Sequence, residues 1–353
     1  MQLTEKIAQN PLYDVHVFAN KWKAVSGNVT FHFVPLIRLP RFLTTVSFAF
    51  FANVAIACQN FDLIHTHDRI FHADVFTMHG VPHRFWVRQV RKKRMSLFDR
   101  LTAWVERRLI SDPRCRFLLP VSTLALEKFS QEFAVAPNRV KVIHPGIEFE
   151  RFALKNHEET RDKVRAKFGL RKSDIVILFV GMNFELKGLQ ELIAAMALAR
   201  AKCPTVSAKL LVVGKGNEKK YRAIAASFGA EEDVHFVGVI TEKIEDIYRA
   251  SDIYALLSGF DTFGMTVLEA MGASLPVLVS HNVGAKDLVV DGENGFVVDK
   301  ENVHSIANKL SMLFSDNTRL RMGQEGRKVA EKKSWEEVAE KVAAIYRQVL
   351  SGR

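Results

Sequence analysis

The stretch Ile253-Tyr254-Ala255-Leu256-Leu257-Ser258-Gly259-Phe260-Asp261-Thr262-Phe263-Gly264-Met265-Thr266-Val267-Leu268-Glu269-Ala270-Met271 decides how the chain is read. It opens on an uninterrupted apolar run, Ile253–Leu257, of strand length. A loop carrying Ser258, Gly259 and Asp261 follows, and from Met265 to Ala273 the pattern is helical. Strand, loop and helix make half of a βαβ unit. Gly264 permits close backbone approach where the helix begins. The free N–H groups and positive dipole end of that helix suit a pyrophosphate. Glu269 falls in the second turn, where its carboxylate can accept hydrogen bonds from paired sugar hydroxyls. From spacing alone it reads more readily as a partly exposed helix carboxylate.

The alternation extends outward. Upstream, Ile175–Val180 is a buried strand ending at Gly181, and Lys187–Lys202 is helical with Leu189, Leu192, Ile193 and Met196 at helical spacing. Leu210–Val213 is a strand ending at Gly214-Lys215-Gly216-Asn217, with a helix to about Phe228. Val234–Val237 reads as strand and Lys243–Ala250 as helix; downstream, Pro276–Ser280 is a strand. The last helices cover about Asn302–Phe314, Thr318–Glu331 and Trp335–Leu350. In the first half Val15–Phe18, Val29–Val34, Leu63–His65, Val75–Thr77 and Phe117–Val121 read as strands. Val87–Ile110 reads as a long basic helix or helix pair, and Ser122 as the N-cap of a helix through Phe133. Val140–Ile143 closes the half before His144-Pro145-Gly146, and Arg151–Lys172 is a charged helical entry to the next.

Strict alternation of this kind predicts α/β domains with parallel sheets. We expect a first domain over 1–145, a second over 146–334, and a helix over 335–353 packing back toward the first. Strand C-terminal ends and helix N-termini would then face a cleft, where ligands of such folds bind.

Composition sets the bounds. A chain of 353 residues, 48% apolar and 25% charged, suggests two domains and excludes wholesale disorder. The net charge of +11 favours anionic partners. Cys58, Cys115 and Cys203 are far apart, which excludes a disulfide framework or a cysteine-built zinc site and fits a reducing compartment. The start shows no signal-peptide pattern. Phe42–Phe61 lacks charge but is interrupted by Thr44, Thr45, Ser47, Asn53, Gln59 and Asn60, and reads as a buried helix rather than a membrane span.

Charge is concentrated in one place. Between Arg84 and Arg116, 11 basic residues face Asp99, Glu106 and Asp112, which is +8 of the net +11. Phe85, Trp86, Leu97, Phe98, Leu101, Trp104 and Val105 interleave. Such a segment suits an anionic membrane surface or a phosphorylated acceptor, with Arg84, Trp86, Arg88, Arg91, Lys92, Lys93 and Arg94 as candidate contacts. A solvated basic face is the plainer reading. No RNP-like or helix-turn-helix pattern points to nucleic acid.

Asp261 to Glu269 resembles the E-x7-E signature of family 4 glycosyltransferases, which have the two-domain GT-B fold. His144-Pro145-Gly146-Ile147-Glu148 resembles the family's P-N-G-[IV]-D motif. Phe179-Val180-Gly181 through Lys187-Gly188 resembles its V-G-R…K-G segment, and Leu211-Val212-Val213-Gly214-Lys215-Gly216 its G-x-G strand end. Val283-Gly284-Ala285-Lys286-Asp287 stands where the family has G-G-x-x-E, and Asp291-Gly292-Glu293-Asn294-Gly295-Phe296 matches its D-G-x-N-G-[LF] turn. Singly these are weak; in this order they are specific. Two departures stand out: Asp261 replaces the first Glu, one methylene shorter, and Met182 replaces the Arg of V-G-R. In the latter respect the chain is similar to the lipopolysaccharide core glucosyltransferase branch.

The resemblance implies roles. Glu269 would bind ribose hydroxyls, Asp261 the donor sugar, and Lys187 the departing pyrophosphate. Gly181 and Gly214 would lie at the donor site. Val239 and Ile240 would hold the base through main-chain groups, and Phe263, Gly264 and Met265 would offer N–H groups to phosphate. Phe76-Thr77-Met78-His79-Gly80 resembles the strand end that places a His beside the reacting sugar, making His79 a catalytic candidate with Lys187 and Asp261. His65-Thr66-His67-Asp68 resembles the family's H-x-H strand end. As a metal pair it lacks an evident third ligand. No cofactor and no metal are expected.

The family also begins with a strand and a Gly-rich loop, whereas Met1–Gln9 already reads as the first helix. The expectation is therefore a first domain without its first strand, with strand edges left unpaired. The implied function is retaining, metal-independent transfer of a hexose from a nucleotide sugar, UDP-linked by preference, to a lipopolysaccharide-core or other envelope glycan. It would take place on the cytoplasmic membrane's inner face. The alternatives are a sugar-nucleotide epimerase of the same fold and a degenerate nucleotide-sugar-binding protein.

Overall fold

The structure is a computed structural model that describes residues 2–22, 27–153 and 158–352. The chain divides into two compact units: 1–146 with 335–353, and 147–334.

Unit 1 contains β1 (Val15–Ala19), β2 (Val29–Phe33), β3 (His65–Thr66), β4 (Val75–Met78) and β5 (Phe117–Pro120). Its helices are α1 (Gln2–Ala8), α2 (Thr44–Ala57), α3 (His83–Phe85), α4 (Leu97–Ile110) and α5 (Thr123–Glu132). All strand pairs are parallel, but they form two ladders, β1–β2 and β3–β4–β5. Among the described residues, β1 and β3 each keep one edge without a strand partner. Both ladders nevertheless share the same two side-chain layers. On one face Phe18 and Ile64 pack with Phe76, Met78 and Leu118; on the other Val15 and Leu63 pack with Val75 and Leu119. This is the alternation a strand imposes on successive side chains.

The uncharged segment after residue 42 forms α2, only 14 residues long, with Ala49 and Ala52 buried. No helix among the described residues is long and apolar enough to cross a membrane. The basic stretch 87–110 is not one helix. A π-helical turn, Trp86–Val90, follows α3, and the chain breaks at Lys92, where φ is +50°. Ser96 then caps α4 in a reciprocal box with Asp99. Val140–Ile143 is not a regular strand either. It runs beside β5 through a single bridge at Val140, with Lys141 and Ile143 donating to Leu118 and Pro120.

Unit 2 is one six-stranded parallel sheet, β6 (Ile175–Gly181), β7 (Ala208–Gly214), β8 (Val234–Gly238), β9 (Ile253–Leu256), β10 (Val277–Ser280) and β11 (Gly295–Val298). Its spatial order is β11-β10-β9-β6-β7-β8. The strands are fully apolar at their centres because helices cover both faces: Ile177, Leu178, Phe179, Leu210 and Leu211 are wholly buried. The helices are α6 (Phe149–Phe152), α7 (Glu158–Lys167), α8 (Leu189–Lys202), α9 (Glu218–Ser227), α10 (Ile244–Ala250), α11 (Met265–Gly272), α12 (Val303–Met312) and α13 (Asp316–Glu331). The charged entry 151–172 is thus two helices rather than one, and residues 154–157 of it lie outside the described residues. β11, four residues after a tight turn, is too short for its period to show in the sequence.

The last helix, α14 (Trp335–Ser351), belongs to unit 1, where Val338, Val342, Ile345 and Val349 pack with Ile7, Val75 and Leu119.

Candidate active site

In unit 2 the C-terminal strand ends bring most of the sequence-derived candidates to one edge of the sheet, where ligands of parallel α/β folds bind. β6 ends at Gly181, β7 at Gly214, and Val239 and Ile240 follow β8. Gly181 and Gly214 are paired neighbours. A Cβ on Gly214, whose φ is +134°, would lie 1.8 Å from the Gly181 carbonyl oxygen, so only glycine fits there.

Lys187 is not in α8. Gly188, left-handed at φ +76°, is the N-cap, and Lys187 sits in the preceding turn with its N–H on Asn183 O at 2.9 Å. That geometry frees the side chain to reach Asp261: the Lys187 ammonium and Asp261 carboxylate form an ion pair with both side chains about four-fifths enclosed. Asp261 is clamped by its backbone. Its N–H donates to Asn282 O and its carbonyl accepts from Gly284 N–H, each at 2.9 Å. Gly264, left-handed at φ +89°, then starts α11. The first-turn N–H groups of Met265 and Thr266 have no earlier helical carbonyl to bond.

Glu269 lies half-buried in the second turn of α11, and Tyr248 OH donates to its Oε2 at 2.7 Å. Burial raises the carboxyl's pKa, opposed by the Tyr248 hydrogen bond and the Arg151 charge. Tyr248 is itself fully buried and its pKa is raised well above the usual value by burial, so it stays a donor. Tyr254 holds the same helix through Thr266 Oγ1 at 2.6 Å. Sequence reading missed both tyrosines because an apolar-looking strand or helix Tyr is indistinguishable from core. Among the described residues no hydrogen bond or ion pair ties Val239 or Ile240 to the Lys187–Asp261–Glu269 group; Val239 is half exposed beyond the edge strand.

Unit 1 gathers a second polar group at the ends of β3 and β4. His67 Nδ1 and His79 Nε2 are 2.8 Å apart, and the His65 and His67 rings are 4.5 Å apart. His65 is fixed from both sides, by Tyr346 Oη of α14 at 2.6 Å and Thr77 Oγ1 at 2.7 Å. Burial pushes the Tyr346 phenol's pKa well up, so Tyr346 meets His65 as a neutral hydroxyl. Burial first, then the charges its neighbours would carry, lower the pKa of His65 far below the ordinary value; the protein packed around His67 and His79 lowers theirs too, that of His67 to about 3, although both rings keep an exposed face. The three imidazoles are therefore neutral. Among the described residues no group of three or more His, Cys, Asp or Glu is placed to hold a metal ion.

The basic residues Arg84, Arg88, Lys92, Lys93 and Arg94 line a cavity of about 970 Å³ in unit 1. Trp86 lies in the π-helical turn, and Arg91 is exposed outside the lining.

Two parallel α/β units, one with an acid–lysine pair at a glycine-started helix, define the GT-B class of glycosyltransferase fold. The solved structures of the same shape include WaaG, a glycosyltransferase involved in lipopolysaccharide biosynthesis (TM-score 0.79, 20% identity, 98% of this chain and 94% of that one). Sucrose-phosphate synthase from Thermosynechococcus elongatus matches equally in shape (TM-score 0.79, 20% identity, 100% and 92%). Anabaena HepE in complex with UDP-glucose follows (TM-score 0.72, 18% identity, 98% and 95%).

Residues 2–151 match Glycosyltransferase Family 4, and residues 160–329 match Glycosyl transferases group 1. The chain belongs to this family of glycosyltransferases. Among curated relatives, D-inositol 3-phosphate glycosyltransferase of Corynebacterium glutamicum (strain R) is 28% identical over 233 residues, 64% of this chain and 56% of that protein. The putative glycosyltransferase EpsD of Bacillus subtilis (strain 168) is 32% identical over 211 residues, 59% and 54%. The chain thus spans slightly over half the length of these relatives.

Proposed function

We propose that the protein is a retaining, metal-independent glycosyltransferase that moves a hexose from a UDP-linked sugar to an envelope glycan such as a lipopolysaccharide core. The observation that carries this reading is the Lys187–Asp261 ion pair beside the start of α11, with Glu269 held by Tyr248 one turn further on. A cation, a helix start and two carboxylates on one short segment match the three parts of a nucleotide sugar: pyrophosphate, sugar hydroxyls and ribose. WaaG and the UDP-glucose complex of HepE support the choice of donor and acceptor class by likeness of fold.

In this reading Lys187 exchanges Asp261 for the departing pyrophosphate, and Asp261 turns to the sugar hydroxyls. The acceptor hydroxyl attacks from the face the nucleotide leaves, and the departing phosphate oxygen takes its proton. Neutral His79 donates to a hydroxyl on the acceptor side. The protein positions both substrates and stabilises charge on the leaving group. The work is done at the inner face of the cytoplasmic membrane, with the basic stretch from Arg84 to Arg94 meeting an anionic acceptor or the lipid surface.

Calorimetric titration with UDP, ADP and GDP, then with their sugars, tests the reading. Selective binding of UDP and a UDP-hexose is expected. A folded sample that binds none of them overturns it.

A further inference from the structure

The charge count of the basic stretch understates what the fold does with it. Its three carboxylates are all occupied elsewhere. Asp99 bonds His83 Nε2 at 2.9 Å and the Ser96 cap. Glu106, almost wholly buried, takes Arg69 at 2.8 Å and the His83 N–H at 2.8 Å. Asp112 is bound by His72 and Arg114. None of them neutralises the cations that line the cavity.

Those cations come from three directions. Arg84 and Arg88, one helical turn apart, form one wall. Lys92, Lys93 and Arg94 form the turn that the left-handed Lys92 creates. Arg100 and Arg107, two turns apart on α4, join the lining, with the small Ala103 and the exposed ring of Trp104 between them in the helix. Among the described residues no ion pair is formed by any of the seven, and the lining holds two carboxylates, Glu106, which is taken by Arg69, and Glu132. Seven like charges brought around one concavity repel one another unless an anion enters. A volume of about 970 Å³ suits a ligand of oligosaccharide size rather than a single ion. The lining begins at Pro82, three residues after His79.

We propose that this open cavity, lined by Arg84, Arg88, Arg100 and Arg107, binds the phosphates of a multiply phosphorylated glycan acceptor, with Trp104 offering a flat apolar face to a sugar ring. The identity of the ligand as acceptor rests on the transferase reading; the anion site itself does not. A bilayer surface would be met by outward cations without distinction. A concave site distinguishes lining cations from their neighbours.

The test is calorimetry of the full chain with myo-inositol hexakisphosphate as a soluble polyphosphate probe, with UDP titrated in parallel. Arg100→Gln, Arg107→Gln and Arg88→Gln should each weaken hexakisphosphate binding at least tenfold, the scale of a lost charge-assisted hydrogen bond. Arg91→Gln, exposed and outside the lining, should change it less than twofold, and UDP affinity should not move in any variant. Thermal melts of each variant establish folding. Equal losses at lining and non-lining positions overturn the site. So does binding only to phosphatidylglycerol vesicles with no binding of the soluble probe. Failure of UDP binding with hexakisphosphate binding intact overturns the transferase reading and leaves the anion site standing.

Discussion

Among the described residues, unit 2 carries an unbroken ladder of six parallel strands, whereas unit 1 carries five strands in two ladders that share side-chain layers but no strand pairing. The difference reaches the polar groups each unit displays. In unit 2 the candidate residues hang from consecutive strand ends and are fixed by one ion pair and one phenol. In unit 1 the imidazoles are fixed by each other and by Tyr346, a residue 281 positions distant from His65 in the chain. Backbone pairing organises the first site and side-chain packing the second. Damage to single side chains should therefore act locally in unit 2 and spread in unit 1.

The largest effect expected is at Glu269. Glu269→Ala should abolish nucleotide-dependent transfer and weaken UDP binding by roughly 10- to 100-fold, since a hydrogen bond to a charged group carries about 1.5–3 kcal/mol. Unchanged turnover in a transfer assay would remove Glu269 from the donor site. Next is Lys187→Ala, for which kcat should fall by about 10²–10³, the scale of losing one charge-stabilising group. A loss confined to KM would assign Lys187 to ground-state binding alone.

Tyr248→Phe should act through pH. The Tyr248 hydrogen bond counters the burial that raises the Glu269 pKa, so its removal raises that pKa further. The acid limb of UDP affinity should then move to higher pH. A profile identical to that of the unmodified protein would mean that Tyr248 only packs.

The smallest effect separates the two units by sign. His65, His67 and His79 have depressed pKa values, so the unfolded chain binds protons the folded one refuses below about pH 6.5. Their contribution to stability is lost as pH falls. Glu269 has a raised pKa, so its contribution is lost as pH rises from about 4.5. Melting temperatures between pH 7 and 5 should fall less steeply in His67→Gln. Glu269→Gln should raise the pH 7 melting temperature and flatten its dependence on pH above 4.5. A steeper fall in His67→Gln would show that the imidazoles are charged in the folded state.

The same contrast explains what the sequence reveals. Fully apolar runs such as Ile175–Val180 and Ile253–Leu257 announce buried parallel strands, and unit 2 folds accordingly. Asp261, Gly264 and Glu269 are legible because strand, loop and helix place them at fixed spacing. Lys187 was placed inside a helix, and only the left-handed Gly188 shows that it precedes one. Tyr248, Tyr346 and the pair Arg100 and Arg107 are silent in sequence because their partners come from distant elements. The split of the first sheet into two ladders, and the layers they share, could be seen only in three dimensions.

The return of α14 to unit 1 has a consequence for the order of folding. Unit 2 is one continuous segment, 147–334, and can fold as soon as it is made. Unit 1 begins first but lacks Val338, Val342, Ile345 and Val349 against Ile7, Val75 and Leu119 until residues 335–353 emerge. Domains made on the ribosome ordinarily finish in the order they are translated. Here the order inverts: unit 1, begun first, completes its apolar layer only once α14 is made, after unit 2.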